Sequence, residues 1–397
     1  MNSTFKKFIS SPLRAFALFF ISLCSLLSIF VFLVVQDKTP QINEQIPAIS
    51  LKEPGFQIIL LSVHKESNYP PVPLWRRIFS GSPSTHDLIP VSSWHISGDS
   101  IYYKQYEEEV SRDSIPVQSL NLAQIIYGRE AVSVLSRQGD SIALQVENGM
   151  KENFSISQLS KEVRKNHIER RTFWFGTDIF GRSLFARTLL GLRFSLLIGL
   201  LAVLLSITIG TMIGMVAGYF GGRIDSVLNY IMNVFWSIPT LILVFAIVLV
   251  TGRGIQNIFI AVGLTMWVDA ARLVRGQVLA LRSEKYIESV KVMGMGAARI
   301  IFRHILPNMM GPLIVIAVSN FASAIIIESG LSYLGFGIQP PAPSLGSLLS
   351  ENYSYILSGK PMLAIIPVVV LLLLVFSFNL VGNGIRDIFD VKSDIRT

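Results

Sequence analysis

The chain has 397 residues, 51% of them hydrophobic and 15% charged, with a mean hydropathy of +0.53. Soluble domains carry about a quarter charged residues, so solubility in water along the whole chain is excluded. The net charge of +8 sits in lysines and arginines at the ends of apolar runs, a signature of membrane topology and not of a nucleic-acid-binding face.

The first apolar run, 16–35, follows Lys6, Lys7 and Arg14 and is long enough to cross a bilayer, whereas the core of a cleaved signal peptide is about 7–15 residues. No small-x-small cleavage site follows it, so residues 1–36 are expected to be a cytoplasmic N-terminus and a retained membrane helix. Cys24, the single cysteine, lies inside this run, and no intrachain disulfide can form. Residues 37–170 are polar and are expected to form a small α+β insertion on the outer face. Within them, 56–63 and 101–106 read as strands from their β-branched and aromatic content, and Ile142, Leu144 and Val146 alternate with polar residues as in a half-buried strand. Residues 157–170 have helical spacing, and Pro70-Pro71-x-Pro73 marks a turn or linker. His64, His86, His95 and His167 match no ligand spacing, so no metal site is expected.

Residues 171–397 make the membrane core. Ile179, Phe180, Leu184, Phe185, Leu189 and Leu192 alternate with Arg182, Arg187 and Arg193 as in an amphipathic helix lying at the outer interface. Five further apolar runs follow at 194–217, 227–250, 255–273, 309–327 and 362–380. Each must pair its backbone polar groups internally in lipid, so each is expected to be a helix. Gly210, Gly214 and Gly218 form a small-residue stripe suited to close helix packing within the subunit, and Pro239, Pro312 and Pro367 suit kinked bundle helices. With the N-terminus inside, six spans return the C-terminus inside. Arg275, Arg282, Lys285, Lys291, Arg299 and Arg303 then fall in the cytoplasmic loop after the fourth span, against Arg253 and Lys360 alone in the last two outward loops.

That loop, 282–308, reads as two short helices joined at Gly294-Met295-Gly296, where glycine permits a sharp turn. Val290 and Met293 are expected to share one face, as are Ile301 and Ile305, and Pro307 opens the next membrane helix. A mixed apolar and basic helix pair of this kind suits docking into the groove of a soluble partner. Asp269 and Arg272, three apart on the fourth span, are expected to pair, and Glu328 is an ionisable group set among Ile325, Ile326 and Ile327.

Glu288, Gly294, Leu306 and Pro307 fall at the spacing of the EAA motif of ATP-binding-cassette (ABC) importer permeases, with Ser289 and Val290 at the two alanine positions and His304 in place of an isoleucine. Gly176-Thr177-Asp178-x-x-Gly181-Arg182 is similar to a motif of the dipeptide/oligopeptide (nickel) branch, with Ser183 where an aspartate is usual. Glu328-x-x-Leu331-Ser332-x-Leu334-Gly335-x-Gly337-x-Gln339-Pro340-Pro341-x-Pro343-Ser344-x-Gly346 resembles the loop after the fifth span of its C-type subunit, with Leu345 at a tryptophan position. Arg386-Asp387-x-x-Asp390 matches the tail. The resemblance covers the first span and about 173–397, and not the enlarged outer loop between them.

The resemblance implies an all-α membrane protein of the type I importer permease fold, with six transmembrane helices and a small α+β extracytoplasmic insertion. It implies a subunit that moves di- or oligopeptides, or a related small solute, across the bacterial cytoplasmic (inner) membrane by alternating access. The implied partners are a B-type permease subunit in a heterodimer, two ABC ATPase subunits carrying ATP and magnesium, an extracytoplasmic solute-binding protein and membrane lipid. Glu288, Ser289, Gly294, Met295, His304, Leu306 and Pro307 would couple to the ATPase; Gly176, Thr177, Asp178, Gly181, Arg182, Glu328, Gly335, Gly337, Pro340 and Pro341 would serve the gate or the family motifs. No Gly-x-x-x-x-Gly-Lys-Ser/Thr loop is present, so neither an ATP-binding role nor any other bound cofactor is expected of this chain, which would not itself be an enzyme. An ion-coupled carrier or channel is the alternative on span count, and a membrane-anchored enzyme lacks a catalytic motif in 37–170.

Overall fold

The computed structural model describes residue 8 and residues 11–65, 72–107, 115–128, 132–138, 141–146 and 151–394. The chain divides into two units, one formed by the residues up to Ile29, by Leu190–Glu351 and by those from Ile365 on, the other by Phe30–Leu189 and Asn352–Ala364.

The first unit is helical. Its long helices are α1 (Pro12–Ile29), α2 (Leu184–Phe220, from Leu190 on), α3 (Gly222–Trp236), α4 (Thr240–Thr251) and α5 (Ile255–Arg282). After two short helices, α6 (Lys285–Val292) and α7 (Ala297–Ile300), come α8 (Met310–Tyr333), α9 (Leu345–Asn352) and α10 (Met362–Asp394). Among the described residues, five helices are long and apolar enough to cross a membrane, and the bent pair α3 and α4 raises the count to six if it makes one span. The run 227–250 is therefore not the single helix its hydropathy suggests. It breaks at Ser237, Ile238 and Pro239, and the two halves meet at 87°. Pro239 is extended at ψ 125° and donates no hydrogen bond, which ends α3 and starts α4 at one point.

Close packing comes from small residues. A Cβ on Gly210 would lie 2.5 Å from the Trp267 carbonyl oxygen, and one on Gly214 would lie 2.5 Å from that of Ala271. The glycine stripe thus lets α2 lie against the alanine face of α5 inside one chain, as expected of it. No apolar side chain could fit there.

The second unit carries strands β1 (Phe56–His64), β2 (His86–Ser97), β3 (Ser100–Gln105), β4 (Gln118–Asn121), β5 (Val132–Gln138), β6 (Ser141–Val146), β7 (Lys151–Ser155) and β8 (Ile168–Phe173). They form an antiparallel sheet in the order β4-β3-β2-β1-β8 and a separate hairpin sheet β5-β6-β7. Period-two alternation gives β1 two apolar faces. Leu61 and Val63 join a core with Val91, Ile101, Leu122 and Ile125, while Ile58 and Leu60 pack with Ile46, Ile49 and Phe173. The helix expected over 157–170 stops early. It covers Ile156–Glu162, passes through one wide turn at Val163–His167, and residues 168–170 instead enter β8, paired with β1. Pro70 and Pro71 lie outside the described residues; Pro73 caps a short helix, Leu74–Ser80.

The segment expected as a separate interfacial helix is also different. Residues 184–193 open α2 without a break, and Arg187 is fully buried. Of the charges that looked interfacial, Arg182 and Arg187 turn to Asp178, and Arg193 is half-buried.

Candidate functional site

Three residue groups drawn from the sequence occupy distinct places in the chain. The first is the link between α5 and α8. In it Ile287 and Val290 of α6, Ile300 of α7, and Ile301, Ile305 and Met309 beyond it pack with Val274 and Val278 of α5 and Leu313 of α8. The link is fixed by its apolar face to both long helices, α5 and α8. The turn sits at Gly294, whose φ of +79° only glycine adopts without strain, and its N–H donates to the Lys291 carbonyl at 2.9 Å. Gly296 has an ordinary φ of −67°, so the turn requires one glycine and not two.

Glu288 and Ser289 are exposed on α6, and the Ser289 hydroxyl turns back to the Lys285 carbonyl at 2.9 Å. Met295, His304 and Leu306 are half-buried, and Pro307 is exposed. The Asn308 amide donates to the Tyr286 hydroxyl at 3.2 Å and to the His304 carbonyl at 2.7 Å, tying the second stretch to α6. Met293 does not share the inward face of Val290, because α6 ends at Val292 and the chain has left helical phase. Val292 is 88% exposed, Met293 67% and Phe302 62%. These apolar side chains, with Glu288, Lys291 and Arg299 also exposed, make the outer surface of the link.

The second group surrounds Glu328, which is fully buried near the end of α8. Its carboxylate accepts from Ser332 Oγ at 2.7 Å, Ser195 Oγ of α2 at 2.9 Å and Ser329 Oγ at 3.4 Å, with the Ser344 hydroxyl a further donor. Ser344 and Ser347 also cap each other's backbone N–H at the start of α9. The glycines of the motif explain the close approach. A Cβ on Gly337 would sit 1.8 Å from Ser332 Oγ, and one on Gly346 2.2 Å from the Ser329 carbonyl. Gly335 is exposed at φ +82°, and Pro340 and Pro341 lie exposed in the loop between α8 and α9. The carboxylate is thus a knot of hydroxyl donors joining α2, α8 and the α8–α9 loop. Sequence reasoning found Glu328 but not Ser195, which is 133 positions away.

The third group, Gly176 to Arg182, belongs to the second unit. Asp178 Oδ1 accepts from the Phe180 and Arg182 backbone at 2.9 and 3.0 Å, and Oδ2 from Arg182 Nε at 2.6 Å. Arg187 Nε lies 3.6 Å from the same Oδ2. Thr177 Oγ1 donates to the Ile49 carbonyl at 2.5 Å and accepts from the Lys52 N–H at 2.9 Å, while Arg182 donates to Asn43 at 3.0 Å. Gly176 and Gly181, at φ +77° and +71°, approach the Lys52 and Ile46 carbonyls so closely that a Cβ would sit 2.2 and 1.9 Å away. This motif is a clasp between residues 43–52 and the start of α2.

Asp269 and Arg272 are linked through Trp236: Arg272 lies 4.3 Å over its ring and donates to Asn233 at 2.6 Å, and Asp269 bonds the Trp236 side chain. Among the described residues, no group of three His, Cys, Asp or Glu could hold a metal ion.

Residues 210–394 match the family described as binding-protein-dependent transport system inner membrane component. The chain is 41% identical to the dipeptide transport system permease protein DppC of Alkalihalophilus pseudofirmus over 219 residues, 55% of this chain and 72% of that protein. It is 43% identical to the oligopeptide transport system permease protein OppC of Salmonella typhimurium over the same shares of both chains. It is 41% identical to DppC of Bacillus subtilis over 321 residues, 78% of this chain and 96% of that protein. The last alignment takes in more than residues 1–36 and 171–397 can supply, so likeness to known permeases reaches into the enlarged loop, contrary to the expectation from its motifs.

Proposed function

Because this chain belongs to the family of binding-protein-dependent transport system inner membrane components, we propose that it is the C-type pore subunit of an ABC importer that carries di- or oligopeptides inward. One observation carries the reading: the link between α5 and α8 is fastened inward by Ile287, Val290, Ile300 and Ile305 and presents Glu288, Val292 and Phe302 outward. An element bound firmly to two long helices, with exposed apolar and charged side chains on its free side, is suited to a partner that pushes on it. An ion-coupled carrier has no use for such a surface.

In this proposal a B-type permease completes the pore, and two ATPase subunits that bind ATP and magnesium seat against α6 and α7. The closing of the ATPases displaces the link, and α5 and α8 transmit that motion to the α8–α9 loop held by Glu328. The link and both termini lie in the cytoplasm, and residues 37–170 lie outside, where a solute-binding protein delivers the peptide. Glu288, Ser289, Gly294, Met295, His304, Leu306 and Pro307 supply the coupling surface and its hinge.

Affinity purification of the tagged full-length chain from its native cells, with uptake of labelled peptides in a strain lacking it, tests this. Recovery of an ATPase, and its loss with Val292→Ser/Phe302→Ser at unchanged membrane level, is the expected result. A complex without any ATPase, or normal peptide uptake in the deletion strain, would overturn the assignment.

A further inference from the structure

The short helix Leu74–Ser80 belongs to none of the three groups above, and its side chains are placed oddly for a water-facing element. It reads Leu-Trp-Arg-Arg-Ile-Phe-Ser, and none of its seven residues is buried. Leu74 is 75% exposed and Trp75 66% exposed. A helix below about 12 residues is marginal in water and normally holds together by burying an apolar face, whereas among the described residues only Ile78 of this one is half-buried.

Its neighbours indicate what it faces. α1 has 18 residues, so at 1.5 Å each it spans about 27 Å, a little less than the ~30 Å hydrocarbon core. The turn Val31–Val34, one residue further along the chain, therefore lies at the edge of the hydrocarbon. The end of the Leu74–Ser80 helix is seated on this exit segment. The Ser82 N–H donates to the Lys38 carbonyl at 2.8 Å, and a Cβ on Gly81 would sit 2.5 Å from that same carbonyl oxygen and 2.9 Å from the Phe32 ring. Leu33 and Val34 are exposed as well. Beside Trp75 stand Arg76 and Arg77, both exposed. An indole at the headgroup level with guanidinium groups reaching phosphates is the chemistry of a membrane-interface anchor.

We propose that the Leu74–Ser80 helix is a lipid-binding foot: Leu74 and Trp75 enter the phospholipid interface next to the exit of the first span, and Arg76 and Arg77 hold headgroup phosphates. It pins the insertion to the bilayer surface. The occupant is lipid and not a protein, because the helix is tied to the few residues that follow the span directly.

The full-length chain in its assembled complex, reconstituted in vesicles of phosphatidylethanolamine and phosphatidylglycerol, allows a direct test. In a Cys24→Ala background, a nitroxide is placed by Trp75→Cys, by Leu74→Cys and, for comparison, by Ser97→Cys on the exposed end of β2. At positions 74 and 75 the ratio of oxygen to nickel-chelate collisions is expected to exceed that at position 97 several-fold. Nickel access at 74 and 75 equal to that at 97 means the helix stands in water and overturns the proposal. Protection from both reagents means that a protein covers the helix, and that overturns it as well.

Discussion

Among the described residues the donors to the Glu328 carboxylate are serine hydroxyls, and its removal strands them together. Glu328→Ala leaves Ser195, Ser329 and Ser332 facing a void, at about 1–3 kcal/mol for each donor that finds no partner. Glu328→Gln keeps an acceptor oxygen and nearly the same volume, so it is expected to lose much less. Thermal unfolding of the purified complex checks the order, with Ala well below Gln and Gln near the parent; equal melting of all three would show that the serine knot bears no load. His86 gives the second residue-scale prediction. Burial, the neighbouring His64 and His167, and Lys65 hold its pKa below the usual 6.5, while Asp87, paired with Lys65 at 3.2 Å, stands on the same strand. The folded state then binds fewer protons than the unfolded state between the lowered value and 6.5. Its contribution to stability is full above 6.5 and is lost as the pH falls through the lowered value. Burial raises the pKa of Glu44 against the pull of Arg171, which acts with the opposite sign around and above the carboxylate range. The protection factors of β1 and β2 amides, taken against the intrinsic exchange rate at each pH, should therefore fall on acidification, and His86→Gln should flatten that response while leaving the Glu44 part in place.

At the scale of elements, the hinge of the α5–α8 link is one residue wide. Proline cannot adopt the +79° φ of Gly294, and it deletes the N–H that closes onto Lys291, so Gly294→Pro must break the turn between α6 and α7. The membrane helices do not contain this residue, so insertion should be normal while peptide uptake falls to background. Gly294→Ala carries only the left-handed penalty of about 1–2 kcal/mol and should retain partial uptake. Normal uptake by the proline variant would remove the link from the coupling path. The turn was legible because glycine stood between two amphipathic stretches, and so were most spans, because a run of about 20 apolar residues has few other uses. The misread elements share a different cause. At 227–250 hydropathy is unbroken and the break comes from one missing N–H at Pro239. At 168–170 local spacing favours helix, but pairing with β1, more than a hundred residues earlier, decides for strand. Arg182 and Arg187 looked like interfacial charges because their partner Asp178 lies outside the helical repeat.

For the molecule as a whole, the clasp at Gly176 to Arg182 decides where the insertion can be cut. The Gly55 N–H bonds the Phe173 carbonyl at 2.9 Å, and Phe56 pairs with Phe173, so the two ends of the sheet leave the clasp side by side. Paired strand residues lie about 5 Å apart, a gap that a Gly-Ser bridge from Gly55 to Trp174 closes. Excision of 56–173 in this way keeps Thr177 on Ile49 and Lys52, Asp178 on Arg182, and the Lys360 ammonium on the Leu51 carbonyl. Ile46 and Ile49 lose Ile58, Leu60 and Phe173 as neighbours, so the melting temperature should fall. Membrane level, recovery of the ATPase and peptide uptake should survive, since every contact of the link and of the Glu328 knot lies outside the excised stretch. Deletion of 40–168, by contrast, removes the partners of Thr177 and should abolish accumulation of the chain in the membrane. If the excised variant assembles fully with its ATPase and yet imports nothing, the sheet itself serves the delivery of solute, and its exposed strands become the surface on which the binding protein must be sought.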